Sequence, residues 1–295
     1  MKVGFIGLGT MGGHFATNIQ KGGHELIVSD ISRQHARKHL DAGATWAETP
    51  KELAEQTDVV LASLPGPPEV TAVAANPKTG LIAGMKPGQC FFDLATNSPT
   101  VVRRLHAEFA EKGLHYLDAP VSGGVGGAQA GTLTFMCGGT ESAFGRAQPI
   151  LDAMGKNIFH AGDAGAGQAA KVCNNLMLAI QMIAVSEGFA LADKLNLDKQ
   201  KLFDIASTAT SQCWSMTSYC PVPGPVPTSP ANRDYEAGFT VAMMLKDLKL
   251  AQEAAQTVDA NTPLGAQATE IYDAFSAAGH DGLDFSAIFK HIADA

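Results

Sequence analysis

The sequence predicts an α/β N-terminal half built on a parallel sheet, joined by one long helix to an all-α C-terminal half. Three observations predict it. Short, continuous apolar runs alternate with amphipathic stretches up to about residue 160, the pattern of strand–helix–strand units. The strand signal stops after Gly162. From about Gly165 to Leu195 the chain is apolar at helical spacing without a proline, long enough for about eight turns. At roughly 150 residues per domain, the 295 residues divide into domains expected at 1–162 and 163–295.

The strand candidates in order are Val3 to Ile6, Leu26 to Ser29, Val59 to Leu64, Cys90 to Leu94, Leu114 to Leu117, Leu133 to Cys137 and Ile158 to His160. They are apolar throughout rather than alternating, which predicts a sheet covered by helices on both faces. Thr49-Pro50-Lys51-Glu52 and Ser98-Pro99 sign helix starts, each with a capping oxygen before a proline at the first helical position. After the long helix, helical patterns follow at about 199–209, 240–259, 263–278 and 285–293. Tyr219-Cys-Pro-Val-Pro-Gly-Pro-Val-Pro-Thr-Ser-Pro230 is too rich in proline for helix or central strand and predicts a pinned, extended loop.

Composition excludes several classes of function. Lys+Arg 21 against Asp+Glu 29 gives a formal charge of -8, the wrong sign for neutralising nucleic-acid phosphates or anionic lipid. The most apolar window, Leu176 to Val185, is short and surrounded by Lys171, Asn174, Asn175, Gln181 and Glu187, so it predicts a buried helix rather than a membrane span. Lys2-Val-Gly-Phe-Ile-Gly7 moves directly into strand and turn, and no secretory segment is expected. Cys90, Cys137, Cys173, Cys213 and Cys220 are odd in number and form no C-x-x-C, which predicts reduced core residues in a cytoplasmic protein. His35 and His39 share one helix face without a third ligand, so no metal site is expected.

Four motifs carry chemistry. Gly7-Leu8-Gly9-Thr10-Met11-Gly12 is a G-x-G-x-x-G between a strand and an amphipathic helix. Its glycines allow the tight turn, the approach of backbone to a pyrophosphate and close helix packing, the fingerprint of a Rossmann-type dinucleotide-binding domain. The next strand ends at Asp30, eighteen residues beyond Gly12, where a carboxylate accepts the adenosine ribose hydroxyls and repels a 2′-phosphate. This favours NAD over NADP, although Arg33 lies close enough to answer a phosphate. In Asp118-Ala-Pro-Val-Ser-Gly-Gly124, a serine and two glycines at a strand end offer a hydroxyl and backbone N–H groups to a substrate carboxylate. At the start of the long helix, Lys171, Asn174 and Asn175 share a face among Ala, Val, Leu and Met; burial there lowers a lysine pKa toward the range of an acid–base catalyst. Lys246-Asp247 supplies a second cation, which would lower it further if the two lysines meet.

These elements, in this order, resemble the β-hydroxyacid dehydrogenase family over essentially the whole chain. Cys213-Trp214 with Tyr219-Cys-Pro-Val-Pro-Gly224 is similar to its hydroxyisobutyrate-oxidising branch. The resemblance implies NAD-linked oxidation of a short 3-hydroxy acid, with Lys171 as acid/base and Ser122, Gly123 and Gly124 holding the carboxylate. It implies that Asn174, Asn175, Trp214, Phe239 and Asp247 surround the substrate, that Leu64, Pro65, Glu69 and Thr96 line the dinucleotide cleft, and that Lys246 lies near the nicotinamide. It also implies a homodimer or homotetramer. Asp93-Leu-Ala-Thr-Asn-Ser-Pro99 departs from the family's Asp-Ser-Ser-Thr-Ile-x-Pro, and Glu69 stands where an Asn is usual. Alternatives of the same family act on L-serine, glycerate or 3-hydroxypropionate. A non-catalytic dinucleotide-binding protein and an imine reductase are disfavoured by Lys171.

Overall fold

The computed structural model describes residues 1–293 and divides into two compact units, Met1–Lys171 and Val172 onward. In the first unit nine strands form one sheet: β1 Lys2–Ile6, β2 Glu25–Ser29, β3 Thr45–Trp46, β4 Val59–Ala62, β5 Cys90–Asp93, β6 His115–Asp118, β7 Val121–Ser122, β8 Leu133–Gly138 and β9 Gly155–Gly162. Their order is β3-β2-β1-β4-β5-β6-β8-β7, with β9 on β8. The helices are α1 Gly12–Lys21, α2 Arg33–Asp41, α3 Pro50–Gln56, α4 Pro67–Ala75, α5 Pro99–Ala110, α6 Gly124–Ala130 and α7 Glu141–Leu151.

The apolar runs explain the layers. Neighbouring strand residues point to opposite faces, so Phe92 joins Phe5, Leu61, Phe15 and Ile19 on one side of the sheet, under α1, α2, α6 and α7. Phe91 joins Val60, Leu53, Val70, Leu105 and Phe109 on the other, under α3, α4 and α5. Both phenylalanines are fully buried, each contributing roughly 2–3 kcal/mol in removal from water. Thr49 caps α3 by accepting the Glu52 N–H, and proline stands in the first turn of α3, α4 and α5.

The sheet departs from the expected all-parallel form at one edge. β8 runs antiparallel to β6 and β7, pairing Asp118 with Gly138 and Ser122 with Thr134. A parallel return needs a crossover of a dozen or more residues, whereas residues 123–132, which join β7 to β8 and hold α6, are fewer. β3 and β7, two residues each, were not expected, and β9 starts at Gly155 rather than Ile158.

α8 Ala166–Lys194 runs on from the first unit, whose compact contacts extend to Lys171. The reason is local: Asp118 at the end of β6 accepts the N–H groups of Gly165 and Gln168, tying the first turn of α8 to the sheet. α8 is long and apolar enough to cross a membrane by length and composition, yet 44% of that window is buried within the fold. It is followed by α9 Lys199–Ala206, α10 Trp214–Thr217, α11 Val241–Thr257, α12 Pro263–Phe275 and α13 Ile288–Ala293. Ala179, Met182, Met244, Leu248 and Tyr272 from α8, α11 and α12 form the main core of the second unit.

The proline-rich segment is a loop pinned by its own hydrogen bonds: Ser229 Oγ donates to Cys220 O at 2.6 Å, and Tyr235 Oη to Pro221 O at 2.8 Å. The cysteines are all free, but Cys173 is exposed on α8, unlike the buried Cys90, Cys137 and Cys220. Its position falls on the outer face of the helix. His39 is buried rather than on an open face. Its Nδ1 lies 3.1 Å from Gln20 Oε1, and burial, with Lys38 adding, lowers its pKa.

Candidate active site

β1 and β4 are neighbours, with β2 and β5 on their far sides. Their carboxyl ends therefore open the crevice where doubly wound sheets receive ligands. The glycine turn sits there, and its three glycines differ in kind. Gly7 has φ +87°, and a Cβ on it would lie 2.2 Å from Ser63 O. Gly12 opens α1, where a Cβ would lie 1.8 Å from Gly7 O. Gly9 is exposed, and a Cβ there would meet nothing within 4 Å. Two glycines thus let the turn close on itself. The third leaves an open face before a helix N-terminus, which fits a dinucleotide pyrophosphate. Leu8 is buried in the core beneath the turn, Thr10 is exposed and Met11 packs half-buried against the same core. Leu64 is half-buried past the end of β4, Pro65 and Glu69 are exposed, and Thr96 is half-buried in the loop after β5.

Asp30 directly follows β2 with its carboxylate turned to the glycine turn: Oδ2 accepts the Leu8 N–H at 2.6 Å, and Oδ1 accepts the Ser32 N–H and lies 3.0 Å from His35 Nδ1. Arg33 points elsewhere, 3.4 Å from Glu48 and 5.4 Å over the Trp46 ring.

Ser122 ends β7, and Gly123 and Gly124 follow at φ +130° and +63°, conformations that side chains rarely adopt. Both glycines are exposed, and the first N–H groups of α6 lack intrahelical acceptors. Such a turn is chemically suited to a carboxylate.

Behind it lies a buried polar network. Asp118, fully buried, accepts from the N–H of Gly165 and of Gln168, each at 2.9 Å, and lies 2.8 Å from His106 Nε2. Gln168 reaches the loop after β5: its Oε1 accepts the Asn97 N–H at 2.9 Å, and its Nε2 donates to Ala95 O at 2.8 Å. Asp93 accepts from Tyr116 Oη at 2.8 Å, from the Ala95 N–H at 3.0 Å and from Asn97 Nδ2 at 3.3 Å. Burial pushes the Asp93 carboxyl up to about 6 against the pull of those hydrogen bonds, with the nearby Asp118 charge adding. Only Asp118 of this network stands in a motif with a role legible in the sequence; Gln168 and Asn97 carry no such signal. The departure at Asn97 from the family pattern is accommodated here, as a buried amide on Asp93.

Lys171, 8% exposed, closes the first unit on α8. One turn later Asn175, 2% exposed, donates from Nδ2 to Asp247 Oδ2 on α11 and accepts at Oδ1 from Asn174 Nδ2 at 2.9 Å. Lys246 Nζ lies 2.9 Å from Asp247 Oδ1. The Asp247 carboxylate, 1% exposed, is therefore shared between its own neighbours, and it orients Asn175 and Lys246. Trp214 stacks on Tyr219 at 4.8 Å, Tyr219 on Phe285 at 5.4 Å, and Phe239 meets Phe285 edge-on at 5.7 Å. The two expected wall residues thus belong to one aromatic cluster. Its anchor, Asp284, had no sequence signal; it accepts from Tyr219 Oη and from the N–H groups of Gly238 and Phe239. Among the described residues no group of three His, Cys, Asp or Glu is placed to hold a metal ion.

Comparison with known proteins gives a consistent result. Residues 2–162 match the NAD-binding domain of 6-phosphogluconate dehydrogenase, and residues 165–292 match the family described as NAD-binding of NADP-dependent 3-hydroxyisobutyrate dehydrogenase. The chain is 46% identical over 286 residues to a probable 3-hydroxyisobutyrate dehydrogenase of Mycobacterium tuberculosis, covering 97% of this chain and 96% of that one. It is 43% identical to an NAD-dependent L-serine dehydrogenase of Pseudomonas aeruginosa, covering 98% and 97%. A solved structure of the Mycobacterium tuberculosis 3-hydroxyisobutyrate dehydrogenase with L-serine superposes with a TM-score of 0.92 at 45% identity, over 99% and 98% of the two chains. The chain belongs to the 3-hydroxyisobutyrate dehydrogenase family of β-hydroxyacid dehydrogenases.

Proposed function

We propose that the protein oxidises 3-hydroxyisobutyrate to methylmalonate semialdehyde with NAD, the dehydrogenation that belongs to valine catabolism. The observation that carries this is a lysine only 8% exposed on α8, one turn before an asparagine 2% exposed that Asp247 orients. Burial removes hydration from an ammonium and favours the neutral amine. Neutral Lys171 accepts the substrate hydroxyl proton as the carbinol carbon becomes a carbonyl, and its ammonium form returns a proton to the carbonyl oxygen in reverse. Bound NAD supplies the hydride acceptor. Ser122 and the N–H groups of Gly123 and Gly124 hold the carboxylate, Asn174 and Asn175 orient the polar end of the substrate, and Trp214 and Phe239 bound its carbon skeleton. Gly7 to Gly12, Asp30, Leu64, Pro65, Glu69, Thr96 and Lys246 are assigned to the dinucleotide.

Asp30 beside Leu8 supports NAD over NADP, since a 2′-phosphate would face a carboxylate. Arg33, drawn to Glu48 and Trp46, is not aimed to compensate. The L-serine dehydrogenase among the relatives favours L-serine as the second reading, because substrates that differ by a methyl or an amine are separated by only a few kcal/mol. Initial rates with NAD and with NADP over 3-hydroxyisobutyrate enantiomers, L-serine, glycerate and 3-hydroxypropionate test both assignments. The highest kcat/KM for 3-hydroxyisobutyrate with NAD is expected; a higher value for L-serine overturns the substrate, and a preference for NADP overturns the role of Asp30.

The outer stripe of α8, with Cys173, Met177, Ala184, Gly188 and Leu191 exposed, supports association with further copies of the chain as a dimer or tetramer. Light scattering that returns a monomer would overturn it. The five free cysteines fit a reducing compartment, the basis for expecting the protein in the cytoplasm.

A further inference from the structure

The first turn of α8 is gripped from two sides by groups that perform no step of the reaction. Gly167 makes the approach possible: a Cβ there would lie 2.3 Å from Met136 O and 2.7 Å from Asp118 O, so no side chain separates the helix from β6 and β8. Asp118 then takes the Gly165 and Gln168 N–H groups, one on each carboxylate oxygen. These donors have no intrahelical acceptor, and a negative charge at this end of a helix is favoured. Gln168 is 0% exposed and spends both ends of its amide on the loop after β5, on Asn97 N–H and Ala95 O. Thr96 lies between those two residues.

We propose that Gln168 and Asp118 are positioning residues that set the place of Lys171, Gln168 by joining its helix turn to the Thr96 loop and Asp118 by joining it to β6. Lys171 follows Gln168 by three positions and leaves the same side of the helix. A rotation or slide of that turn is therefore carried directly to its amine. A displacement of about 1 Å in a catalytic group costs up to about 10²-fold in rate. The same bridge makes the Thr96 loop, which is assigned to the dinucleotide, a lever on the acid–base group: a shift of the loop on binding moves the helix turn with it. The inference rests on the acid–base reading of Lys171.

Two substitutions separate positioning from mere support. Gln168→Met keeps length and removes both hydrogen bonds; kcat is expected to fall about 10- to 100-fold while KM for the hydroxy acid changes little. Gln168→Glu is informative because a protonated carboxyl has the same donor and acceptor pair as the amide, whereas the ionised form has no donor for Ala95 O. Its kcat relative to wild type is expected to climb as pH is lowered, at temperatures where both proteins are fully folded by circular dichroism. Asp118→Asn, which sets an amide N–H against a backbone N–H, is expected to lower kcat in the same way. A wild-type kcat in Gln168→Met, or a Gln168→Glu ratio that stays flat with pH, overturns the inference; where Gln168→Met does not fold, the Gln168→Glu ratio decides alone. Wild-type turnover is the control. Without it the acid–base reading itself falls, whereas wild-type turnover with unaffected Gln168 variants removes only the positioning role.

Discussion

Adding one methyl group at Gly9 and one at Gly12 should damage different properties. At Gly12 the new Cβ would lie 1.8 Å from Gly7 O and 2.9 Å from Gly7 C. Ordinary contact begins at 3.4 Å, so a backbone carbonyl must retreat by about 1.6 Å within a turn fixed between β1 and α1. Overpacking costs about 1–3 kcal/mol where side chains can yield, and backbone yields less readily, so Gly12→Ala is expected to lose at least about 3 kcal/mol. At roughly 2–4 °C per kcal/mol for a unit of this size, Tm falls by about 6 °C or more. At Gly9 the Cβ meets nothing within 4 Å, so Gly9→Ala should stay within about 0.5 kcal/mol of wild type. Its methyl instead fills the space in which a pyrophosphate approaches the backbone, and the Kd for NADH should rise at least about tenfold, or 1.4 kcal/mol. Differential scanning fluorimetry and titration of NADH fluorescence read the two quantities. Unaltered NADH affinity in Gly9→Ala would refute the placing of the pyrophosphate, and an unaltered Tm in Gly12→Ala would refute the packing argument.

Other consequences follow from the buried carboxylates. The folded-state pKa of Asp93, about 6, lies above its ordinary value of 3.8, so its contribution is fully present below pH 3.8 and is lost as pH rises through 6. That is a loss on the order of 3 kcal/mol at 1.36 kcal/mol per unit. Urea melts of wild type and Asp93→Asn at pH 4 and pH 7 should differ by that pH-dependent amount, the variant gaining relatively at pH 7; a constant difference would contradict it. Asp284→Ala strips the acceptor from Tyr219 Oη, from the Gly238, Phe239 and Ser286 N–H groups and from Ser286 Oγ. With roughly 1–3 kcal/mol for each buried group left without a partner, a loss of at least about 3 kcal/mol is expected, with a raised KM for the hydroxy acid as the Trp214–Tyr219 stack loosens. Tyr219→Phe, which removes one of these bonds, should cost about 1 kcal/mol.

Much of this was readable because two-sided burial writes itself as apolar runs. Val59 to Leu64 and Cys90 to Leu94 became β4 and β5, and the proline-free stretch from Gly165 became α8, Ala166–Lys194. Strand direction leaves no such mark: Leu133 to Cys137 is as apolar as its parallel neighbours, yet β8 runs antiparallel because the preceding connection is too short to cross over. β3 and β7, at two residues, are below any detectable period. The glycine turn, Asp30, the Ser122 loop and Lys171 stand in local motifs. The bonds that hold them do not, since Gln168 meets Asn97 across 71 residues and Tyr219 meets Asp284 across 65. Asp247 stood near the substrate only through the family resemblance; its burial and its bond to Asn175, 72 residues away, emerge from packing.

Lys171 acting as the acid/base of an NAD-linked β-hydroxyacid oxidation is open to direct test. The most direct measurement is kcat for 3-hydroxyisobutyrate in Lys171→Ala, taken beside NADH binding by fluorescence. A positioned acid/base is worth about 10²- to 10⁴-fold, so a fall of that size is expected, with NADH affinity near wild type. Turnover close to wild type in a variant that still binds NADH would contradict it.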